Sequence, residues 1–274
     1  GLVARGPVPD GATDTATAAD TDTATAADTD TATAADTATA ADTDTATAAD
    51  TDTAADTDTT SECPVAPSDD PLVVATDRGA VRGDDLGDVR AFRGIPFTAP
   101  PVADLRWRPP ELHACWDDVR DVQDFGALCP QLKTLGGAYL GEEDCLTLNV
   151  WTPDGATPQA PSPVLVFIHG GGNIQGGSGW PIGKTTSPLY EGDDLARSGP
   201  SVVVTLNYRL GVLGFLAHDD LVAESDHGAA GNYGVLDVLA GLAWVQRNVA
   251  AFGGDPDRVM IFGESAGGRM VCTL

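Results

Sequence analysis

Ser265 stands between two glycines in the run Gly263-Glu264-Ser265-Ala266-Gly267. A serine in the pattern G-x-S-x-G, placed directly after an apolar strand-like run and ahead of a helix-like one, sits on a sharp turn that lifts its hydroxyl above the edge of a sheet. Gly263 and Gly267 meet a steric need, because side chains there would hold the strand and the helix apart. A hydroxyl so placed can attack a carbonyl carbon and carry an acyl group. Taken alone, the five-residue pattern equally describes a structural glycine turn. A second element adds to it. His169-Gly170-Gly171-Gly172 follows the apolar run "PVLVFI" directly. Attack on an ester turns the carbonyl oxygen into an anion, which backbone N–H groups must already face. Glycines at 171 and 172 permit that orientation with no side chain in the way. A flexible glycine-rich loop is the alternative for "HGGGNIQGGSG".

The elements that must position these groups read as alternating strands and helices from about Cys63 onward. "PLVVATDRGAVRG" predicts a hairpin, with Leu72 to Ala75 and Ala80 to Val81 flanking a turn at Asp77 to Gly79. The proline-rich stretch "GIPFTAPPVADLRWRPPE" predicts extended loop, since each proline removes a donor and biases its predecessor away from helix. "LTLNVW" alternates and reads as a strand. "PVLVFIHG", "SVVVTLNY" and "RVMIF" are short continuous apolar runs, the pattern of strands buried on both faces. Between Val235 and Ala250 the apolar positions 235, 236, 239, 242, 243 and 249 recur at helical spacing, and Gly253 and Gly254 close the segment. Strand, helix and strand around a parallel-looking core predict an α/β sheet.

Residues 1–62 read differently. From Thr15 to Thr59 the chain repeats units close to TATAADTD built from Thr, Ala and Asp alone. Such a segment offers no apolar surface to offset the entropy of ordering its backbone, and it is expected to be a disordered linker ahead of a folded region at 63–274. Its Asp-x-Asp pairs lack the Gly and closing Glu of a calcium loop, and no metal or cofactor is expected anywhere in the chain. The formal net charge is −26, and residues 1–60 hold 13 Asp against Arg5. Nucleic acid and anionic membrane surfaces are therefore poor partners. No apolar run reaches the length of a membrane-spanning helix on this reading. Five cysteines, at 63, 115, 129, 145 and 272, fit no zinc spacing.

In "FRGIPFTAPPVADLRWRPPE", "EEDCLTLNVWTP", "VFIHGGG", "VVVTLNYRLGVLGFL", "GNYGVLDVLAGLAWVQRNVAAFGGDP" and "VMIFGESAGG", taken in order, the chain from about Leu72 to Gly268 resembles the type B carboxylesterases. That family includes the cholinesterases and the non-enzymatic neuroligins. The resemblance implies the α/β hydrolase fold, with a mostly parallel sheet behind an N-terminal antiparallel hairpin, truncated here after the nucleophile turn. It implies Ser265 as nucleophile, Glu264 as a supporting residue, and Gly171, Gly172 and Ala266 as donors of the oxyanion amides. It further implies a Cys129–Cys145 disulfide closing a loop of 15 intervening residues, stabilising by about 3 kcal/mol when unstrained. Two reduced core thiols are the alternative. A disulfide would imply an oxidising compartment and a secreted or extracytoplasmic protein. Cys63 could join Cys115. Arg106–Glu143 and Arg209–Asp237 pairs are implied as braces around the site.

Departures from the family carry information too. The Cys129–Cys145 loop has no tryptophan for a choline cation. Asn173 stands where many relatives have an aromatic residue. Arg269, next to the turn, is expected to crowd the following helix. In this fold the acid and histidine of the triad follow the serine in sequence. The nine residues after Ser265 include no Asp, Glu or His. His169 belongs to the oxyanion loop, His113 and His218 to strand ends and His227 to a loop, all with structural or solvent-facing roles. The chain thus reads as the N-terminal part of an esterase for small-molecule carboxylic esters. A neuroligin-like binding module and a non-functional fragment are the alternatives.

Overall fold

The computed structural model describes residues 63, 65, 68–132, 137, 139–179 and 189–274. The Thr/Ala/Asp repeat of residues 1–62, which the sequence predicts to be a linker, lies outside the described residues apart from its border at Cys63. In chain order come β1 (Val73–Ala75), β2 (Ala80–Arg82), β3 (Asp84–Asp85), β4 (Val89–Pro96), β5 (Arg120–Asp121), β6 (Gln131–Leu132), β7 (Tyr139–Leu140), β8 (Thr147–Pro153) and β9 (Ser162–Ile168). They are followed by α1 (Asp193–Ser198), β10 (Val202–Leu206), α2 (Gly211–Phe215), α3 (Asp219–Ala223), α4 (Tyr233–Asn248), β11 (Gly254–Gly263) and α5 (Ala266–Val271).

Six strands form the main sheet in the order β11-β9-β10-β8-β4-β3. β9 runs parallel to both β10 and β11, while β10–β8, β8–β4 and β4–β3 are antiparallel. Among the described residues the sheet is therefore mixed rather than mostly parallel. The predicted hairpin forms as β1 and β2, with Val74 opposite Val81. It lies outside the main sheet, in a small one completed by β5. Two contacts tie it to α4. The Asp77 amide donates to Asn248 Oδ1 at 2.7 Å, and Arg247 Nε donates to Asp77 Oδ2 at 2.8 Å.

One sheet face carries the larger core. Phe92, Ile95, Leu148, Val150, Val164, Val166, Ile168, Val204 and Leu206 pack there with Val238, Trp244, Val245 and Phe252. Each such aliphatic side chain stabilises the fold by about 1.5–3 kcal/mol when fully removed from water. The other face holds a smaller cluster of Val89, Ala91, Trp151, Ala196 and Val203. β10 and β8 lie in the middle of the sheet and are buried on both faces, and β8 forms where the alternation predicts a strand. β9 and β11 depart from the predicted burial on both faces. Leu165 and Phe167 are half-buried, and Met260 is 54% exposed. These side chains lie on the face with the smaller cluster, where no helix as long as α4 packs among the described residues.

α4 turns a different face inward from the one the apolar spacing picks out. Gly234, Asp237, Val238, Gly241, Trp244, Val245 and Asn248 are buried, whereas Leu239 is 45% exposed and Ala243 lies in solvent. Two polar or small residues decide this. Asp237 must meet Arg209, and Gly241 allows the helix to approach Leu206 closely. The segment Tyr233–Phe252, 20 residues of mean hydropathy 1.2, is long and apolar enough by length and composition to cross a membrane. The sequence reading that no apolar run reaches that length is corrected accordingly. The inward face of this segment is occupied by the main sheet.

Candidate active site

β11 ends at Gly263 and α5 begins at Ala266, so Ser265 occupies the turn between them as the residue before the helix. Its backbone has φ 52° and ψ −113°. A positive φ is uncommon for a residue with a side chain, and strain of this kind concentrates at functional sites. The glycines explain how the turn closes. A Cβ on Gly267 would overlap the carbonyls of Ile168 and His169, and one on Gly263 would run into Gly267. α5 therefore lies directly over the end of β9. Arg269 is exposed on the outer side of α5 and does not crowd it.

Ser265 faces a cleft of about 320 Å³, shared with Glu264, Gly170, Gly171, Gln175, Gly176, Leu189 and Tyr190. Gly171 lines the serine's cleft, while Gly172 stands just outside its lining with open space around it. Both glycines have positive φ, 101° and 65°. Among the described residues the amides of Gly171, Gly172 and Ala266 donate to no other group. Gly170, which the sequence does not single out, has the tightest fit. A Cβ there would overlap the Glu264 carboxylate. Tyr190 Oη donates to Glu264 Oε2 at 3.4 Å, and burial together with the adjacent carboxylate holds the Tyr190 phenol above its usual value.

The loop from His169 to Gly177 is pinned from behind. The His169 ring stacks on Tyr208 with centroids 4.3 Å apart, and Tyr208 Oη donates to the His169 carbonyl at 3.0 Å. His169 Nδ1 lies 2.8 Å from the Gly170 carbonyl oxygen, as a donating nitrogen would. Burial lowers the pKa of His169 to about 4, so the ring is neutral at physiological pH. Asn173 has φ 62°, a conformation asparagine tolerates better than most residues, and its carbonyl accepts from the Gly211 amide at 2.7 Å.

No histidine of the described residues lines the Ser265 cleft. His113 packs edge-on against Trp116 in a loop. His218 is not at a strand end but caps the N-terminus of α3, where Nδ1 accepts from the Asp220 amide at 3.2 Å. His227 is exposed.

Both ion pairs implied by the resemblance form. Arg106 grips Glu143 with two hydrogen bonds of 2.6 and 2.7 Å. Asp237, fully buried, accepts from the Arg209 amide at 2.9 Å, from Nε at 2.8 Å and from Nη2 at 2.7 Å. Burial pushes the Asp237 carboxyl up, and the Arg209 hydrogen bonds oppose that rise. Cys129 is bonded to Cys145 and Cys63 to Cys115, leaving Cys272 as an exposed free thiol. Among the described residues no cluster of three or more His, Cys, Asp or Glu side chains could hold a metal ion.

A serine on a strained strand-to-helix turn, faced by a glycine loop that follows the neighbouring parallel strand, defines an α/β hydrolase. The comparisons narrow this further. The model for the carboxylesterase family matches residues 70–274, and the chain belongs to that family. It is 50% identical over 206 residues to a fumonisin B1 esterase of Sphingopyxis macrogoltabida, covering 74% of this chain and 36% of that protein. It is 42% identical over 207 residues to the para-nitrobenzyl esterase of Bacillus subtilis (strain 168), covering 74% of this chain and 40% of the relative. Among solved structures, a thermophilic para-nitrobenzyl esterase superposes with a TM-score of 0.64 at 41% identity, over 73% of this chain and 40% of the other. The chain therefore spans well under half the length of the relatives it matches.

Proposed function

We propose that the protein carrying this chain hydrolyses carboxylic esters of small molecules through an acyl intermediate on Ser265. The observation that carries this reading is the strained backbone of Ser265 at the head of α5, which turns the residue toward a cleft shared with Gly171 and Glu264. In this reading Ser265 Oγ bonds to the ester carbonyl carbon and gives its proton to a general base. The carbonyl oxygen becomes an anion held by the amides of Gly171, Gly172 and Ala266. The alcohol departs with a proton, and water then releases the acid and restores the serine. Glu264, held between Gly170 and Tyr190, supports the turn. The acid and histidine of the triad would come from sequence beyond the matched span. The family membership and the esterase names of its relatives support the reaction class.

The two disulfides favour an oxidising compartment, which we propose as the protein's location. The test is hydrolysis of a short-chain nitrophenyl ester by the intact protein and by its Ser265→Ala variant. Turnover lost in the variant supports the reading. Equal turnover in both would remove Ser265 from the reaction.

A further inference from the structure

We propose that Gln131 is a positioning residue for the oxyanion loop, acting through Gly176. The proposal rests on the esterase reading for its catalytic half and on geometry for the rest. Gln131 is 4% exposed. Its Nε2 donates to the Gly176 carbonyl at 2.7 Å and to the Cys129 carbonyl at 3.0 Å, and its Oε1 accepts from the Gly176 amide at 2.8 Å. One amide side chain thus holds both backbone groups of one glycine. Gly176, at φ 112°, has no room for a side chain, because a Cβ would stand 2.6 Å from the Gly170 oxygen and 2.7 Å from His169 Nδ1. It is therefore packed against the residues that lead into Gly171, and it lines the Ser265 cleft itself.

The loop needs such an anchor. Gly171, Gly172, Asn173 and Gly176 all have positive φ. Inside the loop, the backbone hydrogen bonds are those from the Ile174 and Gln175 amides to the Gly171 carbonyl. A glycine-rich segment with so few internal bonds has many other conformations open to it. Gln131 in turn has a firm base. It sits two residues after Cys129, inside the loop closed by the buried Cys129–Cys145 disulfide. Asn207 Nδ2, at the end of β10, donates to the carbonyls of Ala127 at 3.0 Å and Cys145 at 3.1 Å. The line of contact therefore runs from disulfide and sheet, through Gln131, to Gly176 and the glycine loop that shares the Ser265 cleft.

The test uses Gln131→Met, which keeps length and removes both bonds to Gly176, and Gln131→Glu, which keeps an acceptor for the Gly176 amide and loses the donors. Both are made in the intact protein. Positioning predicts that kcat falls about 10- to 100-fold in the Met variant while KM stays within about threefold, because a displaced oxyanion donor acts on the transition state. The inhibition constant of a trifluoromethyl ketone, which forms an oxyanion on Ser265, should rise by a similar factor, and the Glu variant should fall between. Amide hydrogen exchange across residues 170–177 should quicken in both variants. Wild-type kcat and ketone affinity with unchanged exchange would overturn the proposal, as would a KM effect alone. If the Met variant does not fold, the Glu variant decides by the same readouts. A wild-type protein that neither turns over ester nor binds the ketone would overturn the esterase reading, and the exchange measurement would still decide the clamp.

Discussion

Replacing Asp237 by Asn should be among the most destabilising single changes in the domain. Asp237 has no exposed surface and Arg209 is 3% exposed, so the pair is closed off from water. Three hydrogen bonds converge on the carboxylate, from the Arg209 amide, Nε and Nη2. Asn keeps the size of the side chain but turns one oxygen into a donor that faces donors, and it leaves the guanidinium charge buried without its counter-charge. Breaking a buried pair in this way costs about 3–5 kcal/mol. With a urea slope of about 1–3 kcal/mol per molar, the unfolding midpoint should fall by about 2 M. Equilibrium urea unfolding followed by tryptophan fluorescence reads this, since Trp244 and Trp151 are buried. The double variant Arg209→Met/Asp237→Leu should recover part of the loss, because a buried pair replaced by apolar groups leaves no unpaired charge. A single variant that costs less than about 1 kcal/mol, or a double variant worse than the single, would refute the reasoning.

A methyl group at Gly267 should displace α5 from the end of β9. Gly267→Ala is expected to lower kcat/KM of the intact protein by about 100-fold or more, measured against a nitrophenyl ester. His169 gives a pH prediction. Its folded pKa is near 4 against an ordinary 6.5, so the neutral ring's contribution is complete above pH 6.5 and is lost as pH falls from there toward 4. The loss amounts to at most about 3 kcal/mol, and thermal unfolding of His169→Asn, which can still donate to the Gly170 carbonyl, should be less pH-dependent over that range. Iodoacetamide on the folded, unreduced protein should modify Cys272 among the five cysteines of the chain, read by peptide mass spectrometry. Deleting residues 1–60 should leave turnover of a soluble ester within about a factor of two, since the repeat at 15–59 has no aromatic or branched aliphatic side chain to add to a core.

Much of the site was legible because its parts are local. Gly263 and Gly267 flank Ser265 in sequence and touch in space, so a five-residue pattern carries the whole geometry of the turn. The hairpin β1–β2 and the glycine run after β9 were legible for the same reason. Other features depend on partners far along the chain. Gln131 shows no local pattern that points to Gly176, and the Cys63–Cys115 bond could be reached from sequence only as a pairing of leftovers. α4 was misread because apolar residues lie on both of its faces, and the choice between them is made by a buried carboxylate and a glycine. The outward side of β11 was misread because a continuous apolar run does not reveal how many faces are covered.

The nucleophile assignment is tested most directly by treating the intact protein with a fluorophosphonate and locating the adduct by peptide mass spectrometry. Such reagents phosphonylate a serine hydroxyl that is activated beside an oxyanion hole. A single adduct on Ser265 is expected, with loss of ester turnover in step with labelling. An adduct on another residue, or full labelling of a Ser265→Ala variant, would contradict it.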